Sequence, residues 1–117
     1  MSNDIVIRQG EAKKVTFLIK RRGVAFDLTT FDPAPEFRFV VKELIGDTEY
    51  IIEKEDTDFI KDEAADGYVS IIVTPAETAA LSPGSYLAEL ESIFEDDVDV
   101  DRSRVFTFVV ERSVFHD

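Results

Sequence analysis

The sequence predicts an all-β fold, a sandwich of about seven strands with one short helical turn. Three observations lead to this prediction. Segments of alternating apolar and polar residues recur along the chain, with turn residues between them at the spacing of a sandwich. No helical period extends beyond about two turns. The ten phenylalanines, with no tryptophan and one methionine, suggest a core of phenylalanine layers filled by valine and isoleucine.

Alternation defines the strands and their inner faces. Because successive side chains of a strand point to opposite sides, Val15, Phe17 and Ile19 share one face. The polar, acidic segment 55–65 is interpreted either as a weak edge strand or as an ordered loop. Strands are predicted at residues 4–8, 13–20, 36–43, 49–54, 68–73, 85–95 and 102–112, with a short extended piece at 24–28. The predicted inward set is Val15, Phe17, Ile19, Phe37, Phe39, Val41, Ile71, Tyr86, Leu90, Phe106 and Phe108.

A helix-start signal lies between the strands at 68–73 and 85–95. Thr74 stands where an N-cap is expected, Pro75 takes the first helical position, and Glu77 follows the cap by three residues. This is a capping-box pattern with proline where its missing N–H costs nothing. It predicts one helical turn at about 75–81, a connector between strands.

The exit from that helical turn has the spacing of a tyrosine corner. Leu81, Pro83 and Gly84 supply an apolar anchor, a fixed φ and a free φ, and Tyr86 begins the next strand. In such a corner the tyrosine hydroxyl bonds to backbone a few residues upstream, at the crossover between two sheets. The alternative is that Tyr86 is only a half-buried strand aromatic. The corner favours an immunoglobulin-like sandwich.

Length and composition exclude several classes of protein. The 117 residues predict a single domain spanning 1–117. The absence of cysteine excludes disulfides, thiolate metal sites and a cysteine nucleophile, and it fits folding in a reducing cytoplasm. No apolar segment precedes the first strand or approaches the length of a membrane span, so neither a signal peptide nor a membrane span is expected.

The charge is strongly acidic and unevenly distributed. A net charge of −12 argues against nucleic acid as a partner, because phosphate neutralisation needs a basic surface. Residues 1–44 hold eight Lys/Arg and six Asp/Glu, a net of +2, whereas residues 45–117 hold five and nineteen, a net of −14. This asymmetry is typical either of a head-to-tail assembly or simply of solvated faces.

No constellation for catalysis is present in the sequence. The one histidine, His116, is next to the last residue, where a Ser–His pair could not be held rigidly. No pair of carboxylates stands out among the 25 acidic residues, and no glycine-rich phosphate loop exists. We therefore expect a protein that is not an enzyme and binds no cofactor.

One acidic run is a candidate metal site because of the spacing of its aspartates. Asp97, Asp99 and Asp101 alternate, so in an extended strand their carboxylates would lie on one side, where oxygen ligands can hold Ca²⁺. The EF-hand pattern fails, since Arg102 stands where the loop glycine belongs. The alternative is a solvated hairpin tip whose charge discourages edge pairing. We favour that alternative and predict no specific metal site.

Several segments together form a recognisable pattern. They are 8–11 (RQGE), 15–20 (VTFLIK), 21–24 (RRGV), 26–29 (FDLT), 37–42 (FRFVVK), 66–67 (DG), 73–78 (VTPAET) and 81–86 (LSPGSY). With these segments the chain resembles the small immunoglobulin-like domains of tailed-phage and prophage proteins, in particular the N-terminal domain of baseplate upper proteins, which attaches receptor-binding parts to a baseplate. Those proteins usually continue into a coiled coil, which this chain does not show.

The resemblance implies a non-catalytic virion component of a tail, baseplate or connector. Its expected partners are other virion proteins or further copies of itself, with no nucleic acid and no membrane. The expected location is the virion, after synthesis in the bacterial host cytoplasm. The alternative is a carbohydrate- or cell-surface-binding module, although the chain has no tryptophan and its three tyrosines lie within or beside predicted strands.

Overall fold

The computed structural model describes residues 4–21, 23–25, 27–30, 35–43, 50–94 and 103–112. Within these residues the chain is mostly β-strand, and the all-β prediction is confirmed. The strands are β1 (Asp4–Arg8), β2 (Lys13–Leu18), β3 (Lys20–Arg21), β4 (Val24–Ala25), β5 (Glu36–Lys42), β6 (Ile52–Lys54), β7 (Tyr68–Val73), β8 (Gly84–Ile93) and β9 (Ser103–Glu111). The helix α1 spans Pro75–Ala79, and single 3-10 turns lie at Leu28–Thr30, Asp56–Asp58 and Ala64–Asp66.

The strands form two facing sheets and a hairpin. The large sheet has the order β1-β9-β8-β5-β6, in which β1 runs parallel to β9 and the other neighbours are antiparallel. The small sheet pairs β2 with β7, and β3 pairs with β4 as a short hairpin. Since β7 belongs to the small sheet and β8 to the large one, α1 lies on the crossover between them.

Phenylalanine rings fill the space between the two sheets. The ring centroid of Phe17 on β2 lies 5.5 Å from those of Phe39 on β5 and Phe106 on β9. A second pair, Phe37 and Phe59, has its centroids 5.6 Å apart. These tilted arrangements are typical of favourable aromatic pairs. They join the small sheet to the large one and explain the phenylalanine content.

The predicted inward set is mostly buried. Tyr86 and Phe106 are the exceptions: each is only half-buried and packs against the edge of the core. Tyr86 lies on the inward face as predicted, but it is less deeply buried, and its hydroxyl makes a solvent-exposed hydrogen bond. The fully buried members are Val15, Phe17, Ile19, Phe37, Phe39, Val41, Ile71, Leu90 and Phe108.

Two predicted extended segments are interrupted at positions where the backbone makes other hydrogen bonds. The second predicted strand breaks at Ile19, whose N–H donates to the carbonyl oxygen of Gly67 at 2.8 Å. The predicted extended piece at 24–28 ends in a 3-10 turn, because the Asp27 carboxylate accepts the Thr29 N–H at 2.8 Å. An aspartate that bonds backbone two residues ahead favours a turn over a strand.

The acidic segment 55–65 is an ordered loop and not a strand. It contains one 3-10 turn and most of a second, and it pairs with the small sheet at a bridge between Ile60 and Ser70. Both backbone hydrogen bonds of that bridge form, at 2.7 and 3.0 Å. The acidic run that contains Asp97, Asp99 and Asp101 lies outside the described residues.

The helical turn is capped as predicted. The Thr74 hydroxyl oxygen accepts the Glu77 N–H at 3.2 Å, and the Glu77 carboxylate accepts the Thr74 N–H at 2.9 Å. The capping box is therefore confirmed. The helix is shorter than predicted, because its last turn is of the 3-10 type. There the Leu81 N–H donates to the Thr78 carbonyl oxygen, three residues earlier, at 3.2 Å.

Buried polar contacts join α1 to the turn between β1 and β2. Thr78 is fully buried. Its hydroxyl oxygen accepts the Gly10 N–H at 3.0 Å, and the same hydroxyl donates to the Glu11 carbonyl oxygen at 3.0 Å. The buried side-chain amide of Gln9 donates to the Leu81 carbonyl oxygen at 2.7 Å. We call these contacts the polar lock. Since buried polar groups need partners, the lock fixes the connector against the first turn.

Replacing Thr78 with valine tests the polar lock, because valine keeps the shape and removes the hydroxyl. We expect Thr78→Val to lower the free energy of unfolding by about 1–3 kcal/mol, since the Gly10 N–H and the Glu11 carbonyl lose their partly buried hydrogen bonds to the hydroxyl. Denaturant melts measure the change. Thr107→Val, the same replacement at a half-buried, outward-facing strand position, should change it by less than about 0.5 kcal/mol. Equal losses in the two variants would contradict the lock.

The crossover contains the hydrogen bond expected of a tyrosine corner. The Tyr86 hydroxyl donates to the Ser82 carbonyl oxygen at 2.7 Å. Leu81 is buried, Pro83 is exposed, and Gly84 has a φ of +150°, which side chains rarely adopt. The corner therefore bends the chain into β8 with an apolar anchor on one side and glycine at the strained position.

We expect Tyr86→Phe to lower the free energy of unfolding by about 0.5–1 kcal/mol, because water replaces part of a solvent-exposed hydrogen bond. The matched control is Tyr68→Phe, which removes a hydroxyl from an exposed strand residue. Denaturant midpoints of the two variants give the comparison. If Tyr86→Phe has the same denaturant midpoint as the wild-type protein, the hydroxyl does not stabilise the corner.

Candidate interaction surface

Metal binding was one function considered for the acidic side chains, and the described residues can be checked for it. There, no three His, Cys, Asp or Glu side chains lie close enough together to hold a metal ion. The candidate ligands Asp97, Asp99 and Asp101 lie outside the described residues, as does His116, and the expectations about them stay predictions. Among the described residues no helix has the length and hydropathy needed to cross a membrane.

Apolar side chains lie exposed or half-buried on the outer face of the large sheet. The register sets Val6 of β1 beside Val109 of β9, and Thr107 beside Leu87 of β8. Val105 is 49% exposed and Val6 is 38% exposed, whereas Leu87 and Val109 are half-buried. We call these four apolar residues and Thr107 the valine patch. A contiguous apolar surface across neighbouring strands is typical of a contact site, whereas single exposed apolar residues are ordinary.

The valine patch exists because β9 is apolar on both faces. Phe108 and Val110 are buried in the core, while Val105 and Val109 point outward. Such two-sided strands are usual where both faces of a sheet are covered. Sequence reasoning missed the patch, although the near-continuous apolar run at 105–110 signals it.

Acidic side chains border the valine patch on the β8 side. Glu89 is the register partner of Val105, and Glu91 that of Arg38. Arg38 forms an ion pair with Glu53 of β6 and not with Glu91. Its guanidinium carbon also lies 4.9 Å from the ring centroid of Tyr50. Neither Glu89 nor Glu91 forms an ion pair within the described part of the chain. These two carboxylates can receive cations from outside the domain.

The free edge of the large sheet at β1 is capped by a lysine. Lys13 of β2 donates its ammonium to the Val6 carbonyl oxygen at 2.7 Å. Lysine on an exposed edge opposes pairing with a strand of another chain. The outer face of the large sheet is therefore a better contact surface than this edge.

The β3–β4 hairpin has the opposite character to the acidic border. From residue 12 to residue 26 the sequence has five cationic residues and no acidic one. Val24 on this hairpin is 66% exposed, more than any other large apolar side chain among the described residues. The hairpin therefore presents an exposed apolar side chain within a segment whose sequence is cationic.

An ion pair joins β6, the edge strand of the large sheet, to α1. Lys54 Nζ lies 2.7 Å from Glu77 Oε1, and that carboxylate also accepts the Thr74 N–H. Burial raises the pKa of Glu77, but the hydrogen bonds from Lys54 and Thr74 together outweigh it and hold the pKa below its ordinary value. The carboxylate thus joins the large sheet to the cap of α1.

Because folding lowers the pKa of Glu77, its ion pair stabilises the protein above the ordinary glutamate pKa of about 4.3 and is lost as the pH falls through the lower folded-state pKa. We expect Glu77→Gln to lower the Tm at neutral pH and to weaken the fall of Tm on acidification. Thermal melts over a pH series measure both effects. The exposed control Glu63→Gln should keep the wild-type pH profile, and a shared profile for both variants would contradict the prediction.

Comparisons with known proteins give no relative from which to transfer a function. No protein-family model matches the chain, and the search of curated proteins finds no match. Function is therefore inferred from the chain's own residues and geometry. The relevant features are an apolar patch bordered by acids and a hairpin with an exposed valine.

Proposed function

We propose that this chain is an immunoglobulin-like domain and a non-catalytic structural component of a phage or prophage virion, acting through protein–protein contacts. The segments that resemble phage and prophage domains support the virion assignment. The tail, the baseplate and a connector are the substructures in which such a domain would serve. Its partners are other virion proteins and further copies of itself.

Strand order supports the immunoglobulin-like assignment. In such sandwiches strands G, F, C and C′ are neighbours in one sheet, and strand B lies with strand E in the other. Here β9, β8, β5 and β6 follow that order, and β2 pairs with β7. The Tyr86 hydroxyl bond at the start of β8 lies where the tyrosine corner of that fold belongs.

The valine patch is the observation that carries the contact function. An acidic domain that exposes apolar residues across three neighbouring strands of one sheet gains free energy when a partner covers them. The net charge of −12 disfavours nucleic acid as that partner. The location proposed is the virion, reached after synthesis in the bacterial cytoplasm.

The alternative function is carbohydrate or cell-surface binding. Sugar recognition usually relies on exposed aromatic rings, and Tyr50 and Tyr68 are both exposed. Tyr50 lies against Arg38 on the large sheet, whereas Tyr68 faces outward from the small sheet beside Leu18. The two rings are therefore on different sheets and do not form one platform, which favours the assembly function.

Purified particles test the assembly function directly. Particles from the bacterium that carries the gene are banded on a density gradient and analysed by mass spectrometry. We expect this protein at a constant ratio to tail proteins across the particle band, with a host cytosolic protein as the control that washes away. Tail or baseplate genes on both sides of its gene would agree with that result.

Two results would contradict the proposed function. The first is recovery of the protein only in the soluble fraction of a culture that yields intact particles. The second is that the protein is absent from particles and binds a defined glycan saturably, with the binding abolished by Tyr68→Ala. That combination would favour the adhesion function instead.

A further inference from the structure

We propose that an extended segment of another virion protein binds as an added strand to the edge of β2 that faces away from β7. The segment that fits this edge has apolar residues at alternate positions and an acidic residue beside Lys14. The inference rests on the proposed function and deepens it, because it names a class of partner and a binding surface distinct from the valine patch.

The small sheet lacks a strand beside β2 that related sandwiches have. In immunoglobulin-like sandwiches the first strand, A, lies in the same sheet as strands B and E. Here the first strand, β1, pairs with β9 in the large sheet instead. In the described part of the chain, β7 is therefore the one strand that pairs with β2. The position of strand A beside β2 holds no strand of these described ranges.

The backbone of β2 is oriented for pairing at that position. The Ser70 N–H and C=O both bond to Ile60, so they point away from β2. In an antiparallel pair, facing residues either bond each other or both point their backbone groups outward. Thr16 is the register partner of Ser70, so its N–H and C=O point away from β7.

Two residues of this edge offer their backbone groups to a partner. The alternation along the strand gives Lys14 and Leu18 the same orientation as Thr16. The Leu18 carbonyl oxygen already accepts the Arg104 guanidinium at 2.8 Å. Among the described residues, no backbone hydrogen bond outside the strand pairings involves Lys14 or Thr16. Their N–H and C=O groups are what an added strand needs, since main-chain hydrogen bonds supply the affinity in strand addition.

An apolar groove runs along the same edge. It has a volume of about 300 Å³ and is lined by residues of β1, β2 and β9. Its apolar lining is Ile5, Val15, Phe17 and Phe106, and Phe106 is only half-buried. Since Val15 and Phe17 point inward and Thr16 points outward, alternate side chains of an added strand would enter the groove. Pockets for alternate side chains give strand addition its specificity.

Charge selects an acidic segment. Lys14 is exposed and forms no ion pair within the part of the chain that the structure describes. The residue that faces Lys14 from an added strand lies directly beside it, and opposite charges at such positions stabilise the pair. β2 itself has two lysines and no acidic residue, so the β2 edge of a second copy cannot supply this charge. The matching occupant is therefore an acidic segment of a different kind.

These contacts define a short sequence pattern. Lys13 lines the groove and donates its ammonium to the Val6 carbonyl oxygen of β1, so the added strand begins beside Lys14. In antiparallel orientation the segment reads apolar, polar, apolar and acidic, opposite the residues from Phe17 back to Lys14. We expect weak binding, because ordering a free segment offsets much of what so few contacts contribute.

A synthetic peptide with blocked ends and the sequence Val-Thr-Val-Glu between Gly-Ser flanks is the probe. It is titrated into the isotope-labelled 117-residue chain, and amide hydrogen exchange is followed by NMR. We expect the Lys14 and Thr16 amides to exchange several-fold more slowly with the peptide bound, because their N–H groups gain partners. The Val15 and Phe17 amides face β7 and should change little.

Two variants separate backbone pairing from charge. Thr16→Pro removes an N–H that faces the β2 edge and keeps the hydrogen bonds to β7, because proline is accepted where the N–H side of an edge strand is unpaired. It should abolish peptide binding. Lys14→Glu should weaken binding of this peptide several-fold and strengthen binding of a Val-Thr-Val-Lys peptide. Val105→Thr, in the valine patch, is the matched control and should bind like the wild-type protein.

Circular dichroism and thermal melts verify the folding of each variant. If Thr16→Pro does not fold, the charge exchange between Lys14→Glu and the two peptides still tests the inference, since Lys14 is exposed. A gain in affinity for the lysine peptide is a result that general loss of structure does not produce.

Three results would overturn the inference. One is unchanged exchange of the Lys14 and Thr16 amides at the highest soluble peptide concentration. Another is full peptide binding by folded Thr16→Pro. The third is self-association of the wild-type protein that protects the same two amides, which makes a second copy the occupant.

The outcome is independent of the particle experiment. A protein that is present in purified particles and shows no peptide-dependent protection removes strand addition and leaves the proposed function standing. A protein that binds the peptide at the β2 edge and is absent from particles retains strand addition and contradicts the virion assignment.

Discussion

The fold depends on hydrogen bonds that converge on one dipeptide at the end of the first strand. The Gln9 N–H donates to the Glu111 carbonyl oxygen at 3.0 Å, which holds the end of β1 on β9. The Gln9 side chain reaches Leu81 just before the crossover, and the Gly10 N–H reaches the buried hydroxyl of Thr78. First strand, last strand and connector are thus fixed together, and a buried network of this kind is costly to leave partly satisfied.

The contact surface follows from that arrangement. With β1 held parallel to β9, Val6 stands beside Val109 and the apolar patch extends over a third strand. The same placement brings the Val6 carbonyl within reach of Lys13, which caps the sheet edge. The pairing of β1 with β9 therefore determines both the extent of the apolar patch and the position of the capped edge.

Local features of this fold were predictable from the sequence, and long-range features were not. The strands, the capping box and the Tyr86 hydroxyl bond depend on residues that are close together in the chain. The break at Ile19 depends on Gly67, which lies far along the sequence, so no pattern near Ile19 reveals it. The valine patch was missed for a related reason, because alternation shows that Val105 and Val109 share a face but not whether other elements cover that face.

The parallel pairing of β1 with β9 has a mechanical consequence. Both strands run the same way, in register from Asp4 beside Thr107 to Arg8 beside Glu111. A pull on the chain ahead of β1, opposed by a pull behind β9, acts along the two strands in opposite directions. The hydrogen bonds of this ladder then bear the load together in shear, whereas in an antiparallel hairpin pulled from its open end they would break one after another. The domain therefore resists tension between its first and last strands as a clamp.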